Sequence, residues 1–189
     1  IFFESFANKK KQPALILKTN GAGFSILDRE DCLKRIHGIK SHFPADWKLP
    51  KVYLLHGDLT KEEMNYLYNH PKIKAMVSLT HGEGFGRPLL EATFTGLPVI
   101  ASGWSGHIDF LSQENSVLLP GKLEKIPKSA VWKDILVEES EWFVVDESIT
   151  YKALNYTFEN YNEFKNKAKI LMNDNKEKFT HTQMTEKLK

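Results

Sequence analysis

Residues 77–110 read VSLTHGEGFGRPLLEATFTGLPVIASGWSGHIDF. An apolar run, Ala75 to Leu79, enters a stretch with glycines at 82, 84 and 86. Pro88 then stands where a helix should begin, the first helical position that proline favours. A short apolar helix follows, and Pro98-Val99-Ile100-Ala101 reads as the next strand. Strand, glycine loop, helix and strand form one βαβ unit, which implies a parallel sheet covered by helices. A helix N-terminus offers unpaired N–H groups and partial positive charge. Glycines let the backbone approach an anion, so the loop predicts a phosphate or diphosphate cradle, with Arg87 as a bidentate clamp. The alternative is a tight turn whose glycines take positive φ. A nicotinamide dinucleotide site is a poor match. The third glycine comes one residue early for G-x-G-x-x-G, and Ala101-Ser102-Gly103 ends its strand without the expected acid.

Outward from this segment the same alternation continues. Ala14–Thr19, Lys51–His56 and Ser116–Leu119 read as further strands, and Asn20–Gly23 breaks the first of them. Ile1 to Ala7 looks like the end of an amphipathic helix. Asp28–Phe43 is a helical pattern with Cys32, Leu33, Ile36 and Ile39 toward one face. Thr60 and Glu63 form a capping box, opening a helix that carries Met64, Leu67 and Tyr68 and stops at Pro71. Residues 121–141 are Lys/Glu-rich, contain Pro127 and lack a clean period, which predicts an irregular insertion. Residues 150–189 are expected to be helical. Tyr151, Leu154, Phe158, Tyr161, Phe164, Ala168 and Leu171 are spaced for one long amphipathic helix. The expected fold is therefore α/β: a single domain over 1–189, with a Rossmann-like parallel sheet and helices on both faces. Such sheets bind ligands beyond the carboxyl ends of their strands, here the loops 56–60, 81–87 and 102–107.

Composition narrows the classes. The 189 residues are 41% hydrophobic and 26% charged, which excludes disorder for most of the chain. A net charge of +2 does not by itself argue for nucleic acid or a membrane surface as partner. No apolar run approaches the ~20 residues of a transmembrane helix, and no secretory leader is visible. Cys32 is the single cysteine, so an internal disulfide and a cysteine metal cluster are both excluded, and a reducing cytoplasm is the natural setting. Lys9-Lys10-Lys11 leads into a strand from its amino end and reads as a solvated charge run.

Glu83 lies in the glycine loop and Glu91 about a turn into the helix. A carboxylate accepts two hydroxyl hydrogen bonds, as from a sugar diol. Two carboxylates flanking a diphosphate cradle suit the two sugars of a nucleotide sugar. For Glu91 the competing reading is an exposed helix glutamate. His81 and His107 fall in site loops as phosphate donors or as plain exposed histidines. Trp104 lines a sugar pocket or serves as a lid or core aromatic.

The string HGEGFGRPLLEATFTGLPVIAS resembles the Glu-x7-Glu motif of retaining GT-B-fold glycosyltransferases, chiefly those grouped as family four. Their typical form is E-G-F-G-x-P-x-x-E-A-x-x-x-G-x-P-V-I-A-S, matched here at Glu83, Gly84, Phe85, Gly86, Pro88, Glu91, Ala92, Gly96 and Pro98 to Ser102. Lys51–Thr60, Ser105–Phe110, Trp142–Asp146 and Phe179-Thr180-His181 are similar to further family elements, with His181 in place of the usual Trp. The resemblance implies a C-terminal donor-binding domain for a UDP- or GDP-sugar, with no metal and no cofactor. It implies that Glu91 holds the ribose hydroxyls. Glu83, with the N–H groups of Phe85 and Gly86, holds the donor sugar and diphosphate and is the candidate catalytic residue. Gly84, Arg87, Leu90 and His81 complete the cradle, and Leu59, after the Gly57 turn, lies against the base. The reaction implied is transfer, with retention, to an acceptor hydroxyl on a glycan, lipid or small molecule. The enzyme implied is cytoplasmic, with peripheral attachment to the inner membrane left open. The family's domain begins with a strand and a basic phosphate loop. By that measure this chain opens inside the first helix, without them and without the acceptor-binding N-terminal domain, and is inactive alone. A GT-B-fold epimerase or phosphorylase and a non-catalytic nucleotide-binding module are the alternatives. The phosphorylase would need a lysine for pyridoxal phosphate, and none is identifiable.

Overall fold

The computed structural model describes residues 1–19, 25–132 and 135–187. The expected break at Asn20–Gly23 lies outside the described residues. The chain is α/β, with parallel sheets and helices, an arrangement compatible with a Rossmann-like fold. It divides into two compact units, Ile1–Tyr66 and Leu67–Lys189.

In the first unit, helix α1 (Phe2–Phe6) precedes strand β1 (Leu15–Thr19), helix α2 (Ile26–Lys40) and strand β2 (Val52–His56). β1 and β2 pair in parallel, from Leu15 opposite Val52 to Thr19 opposite His56. Aromatic packing anchors the amino-terminal end. The Phe3 ring meets Phe43 at 5.5 Å, edge-on, and Phe43 meets Trp47 at 5.9 Å. Ser25 caps α2 by accepting from the Asp28 N–H. The expected apolar face of α2 is only half right. Its half-buried positions are Asp28, Cys32, Ile36 and Lys40, a strict four-residue stripe, while Leu33 and Ile39 are exposed. One residue of rotation on a 3.6-residue helix is about 100°, which is what turns Leu33 away from Cys32.

Helix α3 (Lys61–Asn69) carries the predicted capping box. The Thr60 N–H donates to Glu63 Oε2 at 2.7 Å, and the Glu63 N–H donates to Thr60 Oγ1 at 3.2 Å.

The second unit is built on strands β3 (Met76–Ser78), β4 (Val99–Ser102) and β5 (Val117–Leu119), all parallel, with β4 central and helix α4 (Arg87–Thr93) between β3 and β4. Every β4 residue is buried, the apolar Val99, Ile100 and Ala101 as a covered parallel strand requires, and Ser102 with them. Residues 121–141 are not irregular throughout. Strand β6 (Gly121–Lys125) pairs antiparallel with β7 (Glu141–Val145), so a hairpin frames the stretch. Leu123 is the only apolar residue of β6, and its alternation with lysine and glutamate is too short to read as a strand without its partner. The C-terminal helix is likewise two. Helices α5 (Glu147–Glu159) and α6 (Tyr161–Lys178) are separated by Asn160, whose φ of −107° and ψ of 34° end the first. Helix α7 (His181–Lys187) follows. Leu154, Ala168 and Leu171 are buried as the spacing predicted, whereas Tyr151 is exposed. Asn175 of α6 locks onto the core, donating to Thr93 Oγ1 at 2.9 Å and the Phe110 carbonyl at 3.1 Å. No helix among the described residues is long and apolar enough to cross a membrane.

Candidate functional site

The glycine loop leaves the carboxyl end of β3 and enters α4 at Gly86. Of its three glycines only Gly86 takes positive φ, 84°, as the residue capping α4. A Cβ there would also crowd the His107 Cβ at 2.9 Å and the Glu83 Cγ at 3.1 Å. Glycine at 86 is thus required by conformation and by space. Gly82 and Gly84 have open surroundings. Pro88 is the second helical residue rather than the first, since α4 begins at Arg87.

Glu83 is half-buried and held through its backbone. The Ser105 hydroxyl accepts from the Glu83 N–H and donates to the Glu83 carbonyl. The Gly106 N–H donates to that carbonyl at 2.9 Å. The 105–107 turn can sit this close only because residue 106 lacks a side chain; a Cβ there would land on the Gly84 carbonyl oxygen.

Glu91 is half-buried on the second turn of α4. Its Oε1 accepts from Arg87 Nε at 2.7 Å, an i,i+4 ion pair on the surface. The structure therefore joins two of the predicted ligand-binding residues to each other. Near Glu91, the Tyr68 hydroxyl has its pKa pushed up to about 12, by burial first and by the Glu91 carboxylate second.

Phe85 is 39% exposed, and its ring tilts against buried Phe110 at 5.3 Å. Leu90 was expected among the donor-binding residues. Its side chain is 7% exposed and belongs to the core, and its N–H donates to the Gly86 carbonyl. It shapes the helix rather than offering a group to solvent.

The histidines separate. The His81 Nδ1–H donates to the Phe143 carbonyl at 2.7 Å, which leaves Nε2 of the neutral ring as an acceptor. The His81 ring stacks on Trp142 at 4.0 Å, and the Phe143 N–H returns a bond to the His81 carbonyl. His107 is fully buried, so the exposed-histidine reading fails for it. Its Nε2 bonds the Ser102 carbonyl at 2.5 Å, while Nδ1 has no hydrogen-bond partner among the described residues. Trp104 is 43% exposed and stacks flat on Phe143 at 5.7 Å. The β6–β7 hairpin is thereby fastened to the loops carrying Glu83 and Ser105, a role that composition alone did not suggest.

In the first unit, Gly57 takes φ 99° just after β2, and its carbonyl accepts from Lys18 Nζ at 2.6 Å. Leu59 is half-buried between that turn and the α3 capping box. The same unit holds a cluster that sequence reading missed: Asp28, Cys32 and His56 offer ligand atoms all within 4.8 Å of one another. The Asp28/Cys32 spacing of four was visible, but His56 lies far along the chain, and only the packing of α2 on β2 brings it in. Set against models of protein families and against curated proteins, the chain matches none.

Proposed function

We propose that this chain carries the nucleotide-sugar donor site of a retaining GT-B-fold glycosyltransferase. The substrate is a UDP- or GDP-linked sugar, and the product is a glycoside of an acceptor hydroxyl on a glycan, lipid or small molecule. The observation that carries the reading is a pair of half-buried glutamates, Glu83 on the glycine loop, where Ser105 clamps its backbone, and Glu91 on the helix that the loop enters. Glu91 holds the ribose diol. Glu83, with the Phe85 and Gly86 N–H groups, orients the donor sugar at the diphosphate.

Arg87 has two partners in this scheme. In the free chain it pairs with Glu91, and its side chain is 72% exposed. An exposed pair of this kind is worth only ~0.3–0.5 kcal/mol, so it is readily exchanged. On binding, Arg87 turns to the diphosphate and Glu91 is released to the ribose. As the sugar departs, negative charge grows on the diphosphate, and Arg87 and the backbone N–H groups stabilise it.

Calorimetry of the chain with UDP, GDP and their sugar conjugates tests the reading. Binding of one of them, weakened at least tenfold by Glu91→Gln in a folded protein, is the expected result. A folded chain that binds none of the four rejects it.

A further inference from the structure

The first unit contains three side chains of metal-ligating type that the donor reading does not use. Asp28 and Cys32 are one helical turn apart on α2 and so share a face. His56 is the last residue of β2, immediately before the Gly57 turn. His56 Nε2–H donates to Asp28 Oδ2 at 2.6 Å, and the two side chains are 7% and 16% exposed. Cys32 is half-buried on the same stripe, and the three ligand atoms lie within 4.8 Å of one another.

We propose that Asp28, Cys32 and His56 form a binding site for a divalent transition-metal ion, zinc above all. The donor set decides the class. A thiolate and an imidazole select against magnesium and calcium, which take oxygen ligands, and favour zinc or its neighbours in the first transition row. Three protein ligands of mixed S, N and O type leave a fourth tetrahedral position for water.

The geometry is within reach of side-chain rotation. Zinc bonds of ~2.0–2.3 Å set ligand spacings of roughly 3.3–3.8 Å around a tetrahedron. The Asp28–His56 pair opens slightly from its hydrogen-bonded distance, and Cys32 swings inward. The proton balance is simple. The Cys32 thiol proton leaves to solvent, and the imidazole proton that Asp28 held moves to the other ring nitrogen. Metal then replaces a proton as the link between α2 and β2. Ligands seated on a helix and a strand end are held more firmly than ligands on loops. The site is independent of the glycosyl-transfer reading.

Cobalt titration of the full chain tests it. Cys32 is the only thiol, so any sulfur-to-cobalt charge-transfer band reports on that residue. The expected result is a band that saturates at one equivalent and is removed by zinc. Cys32→Ser abolishes the band, and Asp28→Asn and His56→Asn each weaken binding by about tenfold or more. In the unsubstituted chain, zinc slows alkylation of Cys32, a chelator restores the rate, and magnesium has no effect. The proposal is overturned by a folded chain with no charge-transfer band, by a band indifferent to both asparagine variants, or by an alkylation rate that zinc does not change.

Discussion

The Ser105 hydroxyl grips Glu83 at both polar groups of its backbone, accepting from its N–H at 3.0 Å and donating to its carbonyl at 2.7 Å. Ser105 does this from φ 81° and ψ −168°, an extended positive-φ conformation that suits glycine and costs a side-chain-bearing residue ~1–3 kcal/mol. The strain persists because the loop around it is over-determined. Alanine would keep the strain and lose the hydroxyl. Ser105→Ala is therefore expected to lower stability by ~1–2 kcal/mol in denaturant unfolding, and to speed hydrogen exchange at the Glu83 amide. Ser105→Gly loses the hydroxyl but relieves the backbone, so it should be the milder of the two. Unchanged Glu83 protection in the alanine variant would mean that the hydroxyl is not the clamp.

Two glycines of the same site make opposite predictions. A Cβ at Gly106 would fall on the Gly84 carbonyl, a backbone atom that cannot rotate away. At Gly84 itself a Cβ meets nothing within 4 Å, and φ is not positive. Gly106→Ala should destabilise by ~2–4 kcal/mol. Gly84→Ala should be neutral, or stabilising by up to ~1 kcal/mol through the unfolded chain. Equal midpoints for the two variants in urea would contradict the packing described between loops 83–86 and 105–107.

What could be read before folding depended on range. The Thr60–Glu63 box is written within four residues and forms as expected. The β4 strand reads at Pro98 to Ala101 from its own apolar residues and forms at Val99–Ser102. Asn160 could not be read in this way, because the apolar spacing runs through Tyr161 without interruption and the break lies in one residue's backbone angles. β6 shows a single apolar residue and exists through its pairing with β7. The residues proposed for the donor site between His81 and Glu91 stand in one short stretch of sequence. Their supports do not: the two bonds of Ser105, the burial of His107 and the stack of His81 on Trp142 each join residues about twenty or more positions apart or hide a polar group that sequence places in a loop. The Asp28–Cys32–His56 cluster failed for the same reason, since two of its members are local and the third arrives by tertiary packing.

The Arg87–Glu91 pair separates stability from binding. The Arg87 side chain is 72% exposed and that of Glu91 37%, so removing this surface pair should change unfolding free energy by no more than ~0.5 kcal/mol. Arg87→Ala and Glu91→Gln are expected to melt within about a degree or two of the unsubstituted chain. Both should nevertheless lose at least tenfold in affinity for the nucleoside diphosphate that binds. Arg87→Lys should recover only part of the loss, because an ammonium cannot match the forked donors of a guanidinium. If Arg87→Ala bound more tightly instead, Arg87 would be competing for Glu91 rather than serving the diphosphate.

Tyr68 gives the chain a signature at alkaline pH. Its hydroxyl pKa rises from 10.0 to about 12, through burial first and the Glu91 carboxylate second. The folded state thus favours the neutral phenol more than the unfolded chain does. That contribution is fully present below pH 10 and is lost as pH climbs from 10 through 12. Lysines titrate in the same range, so the informative quantity is the difference between the chain and Tyr68→Phe in urea unfolding at successive pH values. The phenylalanine variant should lose less stability between pH 10 and 12. Glu91→Gln should lower the Tyr68 pKa part of the way toward 10, measured by phenolate absorbance, because burial remains when the charge is gone. Identical alkaline slopes for the chain and Tyr68→Phe would show that the buried phenol does not carry the effect. An unmoved Tyr68 titration in Glu91→Gln would show that the carboxylate does not reach it.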